Sequence, residues 1–333
     1  MGNNASGGQL PFPLRILQCA RDNLKPALTT IRFLLFIMLP VSFAVLIMEA
    51  SGLLYYVARF MDPLMRLLGL PGEAALAYLS SVFMNIYSAI AVIQTMTLSG
   101  KQLIILATMC LVAHNFFVEC LVMKKTGSRL RKIVVLRVFN SFLAGWILRF
   151  IVPEGSGSFT GIMAFKVTEY PPAIGLNMER FLAGLFPWFV DSLVLILQIF
   201  LIVFAVMFLQ RILSEFGLVK KLSRFFSPLM GFLGLSSNTA YVWIVANTVG
   251  VAYGAGILIE EVKEGSLTRI EADLFNHHAA ISHSQIEDTF LFVSLGVPYV
   301  WAALPRLVLA VAVVWVERAR RAIFRSGFRV KVV

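Results

Sequence analysis

The sequence predicts an all-α polytopic membrane protein built from two inverted repeats. Each repeat is expected to hold about three transmembrane helices, an interfacial helix and a re-entrant helical hairpin. Two observations predict this class. Hydrophobic residues make up 59% of the 333 residues and charged residues only 14%, far from the composition of a soluble protein. Apolar runs of spanning length recur along the chain, and their order in the first half returns in the second.

The chain divides into five segments. Residues 1–26 combine a Gly- and Asn-containing tip with a basic interfacial helix, and residues 27–152 form the first repeat. Residues 153–182 hold Gly, Ser and Pro and are expected to form a non-cytoplasmic linker. Residues 183–318 form the second repeat, and residues 319–333 form a basic cytoplasmic tail.

Each repeat follows one pattern. In the first, spans are predicted at 28–48, 102–123 and 133–152, with an amphipathic stretch at 49–70 and a polar-centred apolar run at 73–99. The second half matches it at an offset of about 165 to 169 residues. Matched features include the Asp-Pro-Leu-Met of 62–65 with the Ser-Pro-Leu-Met of 227–230, His114 with His283, Arg137 with Arg306, and Trp146 with Trp315. The chain is therefore interpreted as an internal duplication.

Lysine and arginine positions predict the orientation. If the runs 73–99 and 237–259 enter and leave on one side, each repeat crosses three times and is inverted relative to the other. The basic clusters at 15–25, 124–132, 211–224 and 318–331 then share the cytoplasmic face. If both runs cross the membrane, the basic clusters at 124–132 and 211–224 lie on the outer face instead. We expect three crossings per repeat, with re-entrant hairpins, in the inner (plasma) membrane. The alternative is that the two runs are ordinary spanning helices that contain glycine.

Polar residues within the apolar spans form the candidate site, because an ionised group at the centre of a membrane costs about 2.5 to 3.5 kcal/mol. The segment Phe275 to Gly296 has the length and ends of a membrane-crossing helix, and His283 and Glu287, four residues apart within it, are predicted to share a helix face and are the candidates for a metal ligand pair. The full set of predicted substrate-binding residues is His114, Asn115, Glu119, His283, Ser284, Glu287, Asp288, Asn85, Tyr87, Asn247, Thr248 and Tyr253.

Each candidate also has a structural interpretation. His283 and Glu287 would serve equally as a buried structural pair, and polar residues at a hairpin tip often only satisfy their own backbone. Arg137 and Arg306 are interpreted as snorkelling anchors near the membrane surface.

The segments NHHAAISHSQIEDTFLF and AHNFFVE, with the Pro-Leu-Met interfacial helices, resemble the nucleoside recognition or "Gate" domain family of membrane proteins. That family's repeat is similar to the permease part of FeoB-type ferrous-iron transporters, to spore maturation membrane proteins and, more distantly, to concentrative nucleoside transporters. The resemblance covers about residues 25 to 318 and implies re-entrant hairpins and a transport-like fold. The sequence departs from the iron transporters because it holds no G-x-x-x-x-G-K-[ST] motif and hence no GTPase domain of its own.

The leading hypothesis is a secondary transporter or permease for a nucleoside-like solute or a cation, with no enzymatic activity and no cofactor. The expected partners are the lipid bilayer and the small solute or ion, and the interfacial helices and basic tail are compatible with a homodimer. The net charge of +11 is assigned to topology and anionic lipid rather than to nucleic acid. The alternative is a non-transporting membrane scaffold or regulator of an envelope or sporulation process that keeps the Gate fold.

Overall fold

The computed structural model describes residues 11–157, 174–248 and 250–329, without the side chains at 33, 34, 37, 251–253 and 324–329. These residues form fifteen α-helices and one short 3₁₀ helix, and no strand occurs among them. The predicted N-terminal tip, most of the linker and the end of the basic tail lie outside the described residues.

The helices of the two halves follow one order. Those of the first half are α1 (Phe12–Ala50), α2 (Leu53–Arg66), α3 (Ala74–Phe83), α4 (Ile86–Ile93), α5 (Gly100–Ala113), α6 (Phe116–Lys125) and α7 (Leu130–Ile151). Those of the second half are α8 (Met178–Glu215), α9 (Leu218–Phe226), α10 (Leu229–Phe232), α11 (Ala240–Thr248), α12 (Val251–Lys263), α13 (Arg269–Ala279), α14 (Glu287–Val293) and α15 (Tyr299–Arg329).

Four helical stretches of the described residues are long and apolar enough to cross a membrane, or five if a bent pair counts as one span. The four are Gly100–Lys125, which holds both α5 and α6, together with α7, α8 and the part of α15 at Tyr299–Ile323. The bent pair is the end of α1 with α2, which meet at 96°. The chain turns there at Gly52, whose φ of 76° is easily adopted only by glycine. The all-α polytopic membrane fold is therefore confirmed, while α1 runs through Pro26 without separating an interfacial helix from the first span.

The two polar-centred apolar runs each form a pair of short helices that pack against each other, α3 with α4 and α11 with α12. In the first pair the chain turns at Asn85, whose side chain accepts a hydrogen bond from the Ser88 N–H at 2.9 Å and so caps α4. In the second pair α12 begins after Gly250, which has a φ of 105°. Helical hairpins are thus present; their entry from one side of a membrane stays a prediction.

The two polar spans are broken rather than continuous. Helix α5 ends at Ala113 and α6 begins at Phe116, so the predicted span 102–123 is interrupted in its middle. The prediction of one continuous helix over Phe275 to Gly296 is wrong, because residues 280–286 separate α13 from α14. The sequence signal was hydrophobic length, which does not reveal where a buried backbone leaves the helix.

Contacts at the two ends of the molecule show the relative directions of corresponding helices in the two halves. Arg15, near the start of α1, pairs with Glu215 at the end of α8 at 2.9 Å. At the other end, the Asn177 N–H before α8 donates to the Ala50 carbonyl that ends α1. Helices α1 and α8 are therefore antiparallel. Lys132 at the start of α7 likewise pairs with Glu317 near the end of α15 at 2.6 Å. We call the end that holds Arg15, Lys132 and Glu317 the basic end.

Candidate functional site

The candidate site lies where the two broken helices meet. At the first break Asn115 has a φ of 49°, and at the second Ser284 has a φ of 46°; these are the described non-glycine residues with positive φ. Such a backbone is uncommon outside glycine and persists only where its surroundings hold it. The Asn115 N–H donates to the Ser81 carbonyl at 2.9 Å, and the Ser284 N–H donates to the Ala246 carbonyl at 3.1 Å. Each break is thus held by the first helix of its hairpin.

Two arginines with no exposed surface complete the breaks. Arg137 of α7 donates from Nε to the Val112 carbonyl at 3.0 Å and from Nη2 to the His114 carbonyl at 2.8 Å. Arg306 of α15 donates from Nη1 to the His283 carbonyl at 3.3 Å. The interpretation of both arginines as snorkelling anchors is therefore wrong. They bind carbonyl groups that the helix breaks would otherwise leave without partners.

Carboxylates and imidazoles from both halves converge at these breaks. Glu119 Oε1 lies 3.2 Å from His114 Nε2 and 3.3 Å from His283 Nε2. His114 Nε2 also lies 3.3 Å from Asp288 Oδ2. On the other side of the Glu119 carboxylate, Arg137 Nη1 lies 2.7 Å from Oε2. We call these five residues, His114, Glu119, Arg137, His283 and Asp288, the central cluster.

The central cluster is shielded from solvent. Its side chains expose between 0% and 9% of their surface. Removing a carboxylate from water costs several kcal/mol unless opposite charges and hydrogen bonds compensate. The Arg137 guanidinium pairs with Glu119, while the Asp288 carboxylate lies beside His114, so the His114 imidazole lies between two carboxylates.

Glu287 lies beside the central cluster but not where the sequence placed it. The expectation that His283 and Glu287 share a helix face is wrong, because His283 lies in the break and Glu287 begins α14. Glu287 Oε1 instead accepts a hydrogen bond from the Tyr87 hydroxyl at 2.9 Å. This hydrogen bond brings together two predicted site residues from opposite halves of the chain. His283 instead lies close to His114 and Glu119, and these three side chains could together hold a metal ion.

The remaining predicted residues mostly serve the local backbone. Asn85 caps α4 as described above. The Asn247 side chain donates to the Trp243 carbonyl at 2.8 Å, and the Thr248 hydroxyl donates to the Ile244 carbonyl at 2.8 Å. The side chain of Tyr253 lies outside the described residues. The hairpin tips approach the site chiefly through their backbone, by the bonds to Asn115 and Ser284.

The sequence did not reveal that Arg137 and Arg306 bind backbone carbonyls, or that Gln285 and Thr289 accept hydrogen bonds from Arg306. Arg306 Nη2 donates to the Gln285 side-chain oxygen at 3.1 Å and also to the Thr289 hydroxyl. A usable signal was present, because Arg137 and Arg306 occupy matching positions in the two halves and both lie inside apolar spans.

One family profile, described as "Gate: Nucleoside recognition", matches residues 31–129 and 196–296. Together these segments make up more than half of the chain. The chain belongs to the Gate family. The two Gate matches contain both helical hairpins and both broken helices, so the family pattern occurs once in each half.

A relative of this Gate protein is a Bacillus subtilis (strain 168) chain named "Uncharacterized membrane protein YvoD". The two are 30% identical over 270 residues, which is 80% of this chain and 83% of the relative. No solved structure matches the chain significantly. The comparisons therefore identify a membrane protein of the Gate family.

Proposed function

We propose that the protein is a permease that carries a small polar solute or ion through the inner (plasma) membrane, with the central cluster as its binding site. The observation that supports this is the meeting of Glu119 and His114 from one half with His283 and Asp288 from the other. All four lie at helix breaks or on the helices beside them.

Broken helices are a device by which membrane transporters bind polar cargo within the bilayer. They expose backbone groups only where these line a cavity or contact protein, and they allow two halves to rock around one site. The antiparallel course of α1 and α8, and of α7 and α15, suits such rocking. The family is transporter-like, so we propose a carrier without catalytic activity.

Alternating access to the site gives a direct test. Ser284→Cys places a thiol at the second break, in a chain whose three cysteines, all buried, have been replaced. In right-side-out and inside-out vesicles, a membrane-impermeant thiosulfonate should modify this thiol from both faces, because a carrier opens its site to each side in turn. Ala107→Cys, fully buried in α5, is the control and should stay unmodified.

A scaffold that only retains the fold has no need to open. Failure to modify Ser284→Cys from either face, with a folded and correctly inserted protein, would therefore count against a permease and in favour of a non-transporting role.

A further inference from the structure

The backbone fixes the tautomer of both histidines in the central cluster. His114 Nδ1 faces the carbonyl oxygens of Cys110 at 3.3 Å and Leu111 at 3.1 Å. His283 Nδ1 faces the Ala279 carbonyl oxygen at 2.6 Å. Carbonyl oxygens only accept hydrogen bonds, so each Nδ1 carries the hydrogen. In a neutral imidazole the Nε2 atom then presents a lone pair.

Both lone pairs point at carboxylate oxygens. His114 Nε2 lies near Glu119 Oε1 and Asp288 Oδ2, and His283 Nε2 lies near the same Glu119 oxygen, all at 3.2 to 3.3 Å. A lone pair that faces an anionic oxygen is repelled by it unless a cation lies between them. The cation is either a proton on Nε2 or a metal ion.

The arrangement favours a metal ion. A proton joins one nitrogen to one oxygen, whereas a single ion can bind Glu119 Oε1 and both Nε2 atoms at once. A tetrahedral first-row metal with bonds of about 2.0 to 2.2 Å separates its ligand atoms by about 3.3 to 3.6 Å. Glu119 Oε1 lies 3.2 Å from His114 Nε2 and 3.3 Å from His283 Nε2, close to this range, and the ligand atoms of the three residues all lie within 4.8 Å of one another.

The surroundings match those of metal sites in other proteins. Metal-binding histidines usually donate their second ring hydrogen to a carbonyl or carboxylate, as both do here, and ligating carboxylates are themselves oriented by a donor. Arg137 occupies Glu119 Oε2 and leaves Oε1 free to bind an ion. Two neutral imidazoles and one carboxylate give a donor set suited to Zn²⁺, Fe²⁺ or Co²⁺ rather than to Mg²⁺ or Ca²⁺.

We infer that the central cluster binds a divalent first-row transition metal ion through His114 Nε2, His283 Nε2 and Glu119 Oε1, with the Asp288 carboxylate beside His114 as a further negative charge. This inference rests on the proposed function and assigns its cargo to the class of divalent transition metal cations. The Arg137 charge beside Glu119 weakens the hold on the ion, which suits cargo that must also be released.

The test uses purified full-length protein in detergent, stripped with chelator, and adds Zn²⁺, Co²⁺ or Mg²⁺. Zn²⁺ should raise the melting temperature by mass action, whereas Mg²⁺ at the same concentration should not. Co²⁺ should give the intense visible absorption of a tetrahedral site. In Glu119→Gln or His283→Gln the affinity for Zn²⁺ should fall at least about tenfold, since loss even of a residue that orients a metal ligand costs 10- to 100-fold.

Two matched variants control for binding elsewhere. His278→Gln alters another fully buried histidine, which accepts a hydrogen bond from the Trp243 indole at 2.9 Å, and should keep the Zn²⁺ effect. Asp273, His277 and Glu317 form a second group that could hold a metal ion. His277→Gln removes the imidazole from this group and should also keep the Zn²⁺ effect. Should His283→Gln fail to fold, the near-isosteric Glu119→Gln alone decides.

The inference is overturned if Zn²⁺ has no effect on the wild-type protein, or if the effect is equal in Glu119→Gln. The two proposals fail separately. Absence of metal binding with modification of Ser284→Cys from both faces leaves a permease for another solute. Metal binding without access from either face instead indicates a structural metal site in a protein that does not transport.

Discussion

At the residue scale, Arg137 and Arg306 make it possible for a helix to break inside an apolar protein. A break leaves backbone carbonyls without partners, and each such group costs energy when no water can reach it. Arg137 satisfies the carbonyls of Val112 and His114 and also lies beside Glu119. One guanidinium thus donates to two carbonyls and places its positive charge beside a carboxylate, because its planar fork presents donors in several directions at once.

Removal of Arg137 should be severely destabilising. In Arg137→Ala the Glu119 carboxylate and two carbonyls stay buried without that donor, so we expect a loss of about 3 to 5 kcal/mol of stability. Arg137→Lys should restore only part of it, because an ammonium lacks the fork. Thermal unfolding in detergent measures both, with Arg131→Ala, at an exposed position near the start of α7, as a near-neutral control. Equal melting temperatures for Arg137→Ala and Arg131→Ala would contradict this assignment.

The left-handed backbone of Asn115 gives a second residue-scale prediction. Its side chain makes no capping hydrogen bond to α6, so Asn115→Gly loses little and should be nearly neutral. Asn115→Val places a β-branched side chain at a φ of 49° and should cost about 1 to 2 kcal/mol or more. The same detergent unfolding assay compares the two variants. Greater damage from glycine than from valine would show that Asn115 acts through its side chain instead.

Single residues of the site were easier to predict than their partners. A histidine or carboxylate inside an apolar run is visible in the sequence, so His114, Glu119, His283 and Asp288 were all found. The pairing was not, because it depends on where the helix stops. A helical course from 283 to 287 gives an i, i+4 contact, whereas the actual break directs His283 to Glu119, 164 residues away.

At the element scale, the start of α13 shows how a short helix is fixed beside a break. Thr268 and Glu271 form a capping box, in which each side chain accepts from the other residue's N–H. Burial tends to raise the pKa of Glu271, but hydrogen bonds from the Ser236 side chain and from Thr268 outweigh it and lower that pKa. The carboxylate form is thus favoured in the folded protein.

This cap predicts a defined pH dependence. Because the folded pKa of Glu271 is depressed, its contribution to stability is fully present above the unfolded pKa of about 4.3. That contribution is lost as the pH falls through the folded value. Glu271→Gln should therefore melt below the wild type at pH 7, and the gap should narrow as the pH is lowered past 4. Glu264→Gln, at the exposed end of α12, is the control. A gap that does not change with pH would exclude the carboxylate as its cause.

Long helices were easier to predict from the sequence than short ones. The long apolar helices α7, α8 and α15 follow from hydrophobic runs, and the hairpins follow from polar or glycine-rich centres such as 247–256. The backbone hydrogen bond that holds each helix break could not be predicted from the sequence. One such bond joins Asn115 to Ser81, and the other joins Ser284 to Ala246. Both arise only from tertiary packing of a hairpin against a broken helix.

At the scale of the whole molecule, the two halves repeat their contacts as well as their sequence. The Leu70 N–H donates to the Met65 carbonyl after α2, and the Leu235 N–H donates to the Met230 carbonyl after α10. Arg137 and Arg306 bind the carbonyls of matching histidines in the same way. These pairs follow the offset of about 165 to 169 residues that is visible in the sequence. The duplication therefore preserves backbone geometry, which an accidental likeness would not.

Inversion of the halves in a membrane stays a prediction, and the structure shows where to test it. Loop 126–129, α9 and the end of α15 are all at the basic end, since Lys132 contacts Glu317 and Trp315 donates to the Phe232 carbonyl that closes the α9–α10 segment. Glu154, paired with Lys101 at 2.7 Å, lies at the opposite end. With three crossings per repeat, the basic end faces the cytoplasm.

Cysteines at exposed positions distinguish the two topologies. In a background without native cysteines, Arg131→Cys and Arg224→Cys should react with an impermeant maleimide only in inside-out vesicles. Glu154→Cys should react only in right-side-out vesicles. Four crossings per repeat would place the first two positions outside and the third inside, so the alternative reverses all three results. Such a reversal would place basic clusters on the outer face and would remove the inverted relation on which alternating access to the central cluster depends.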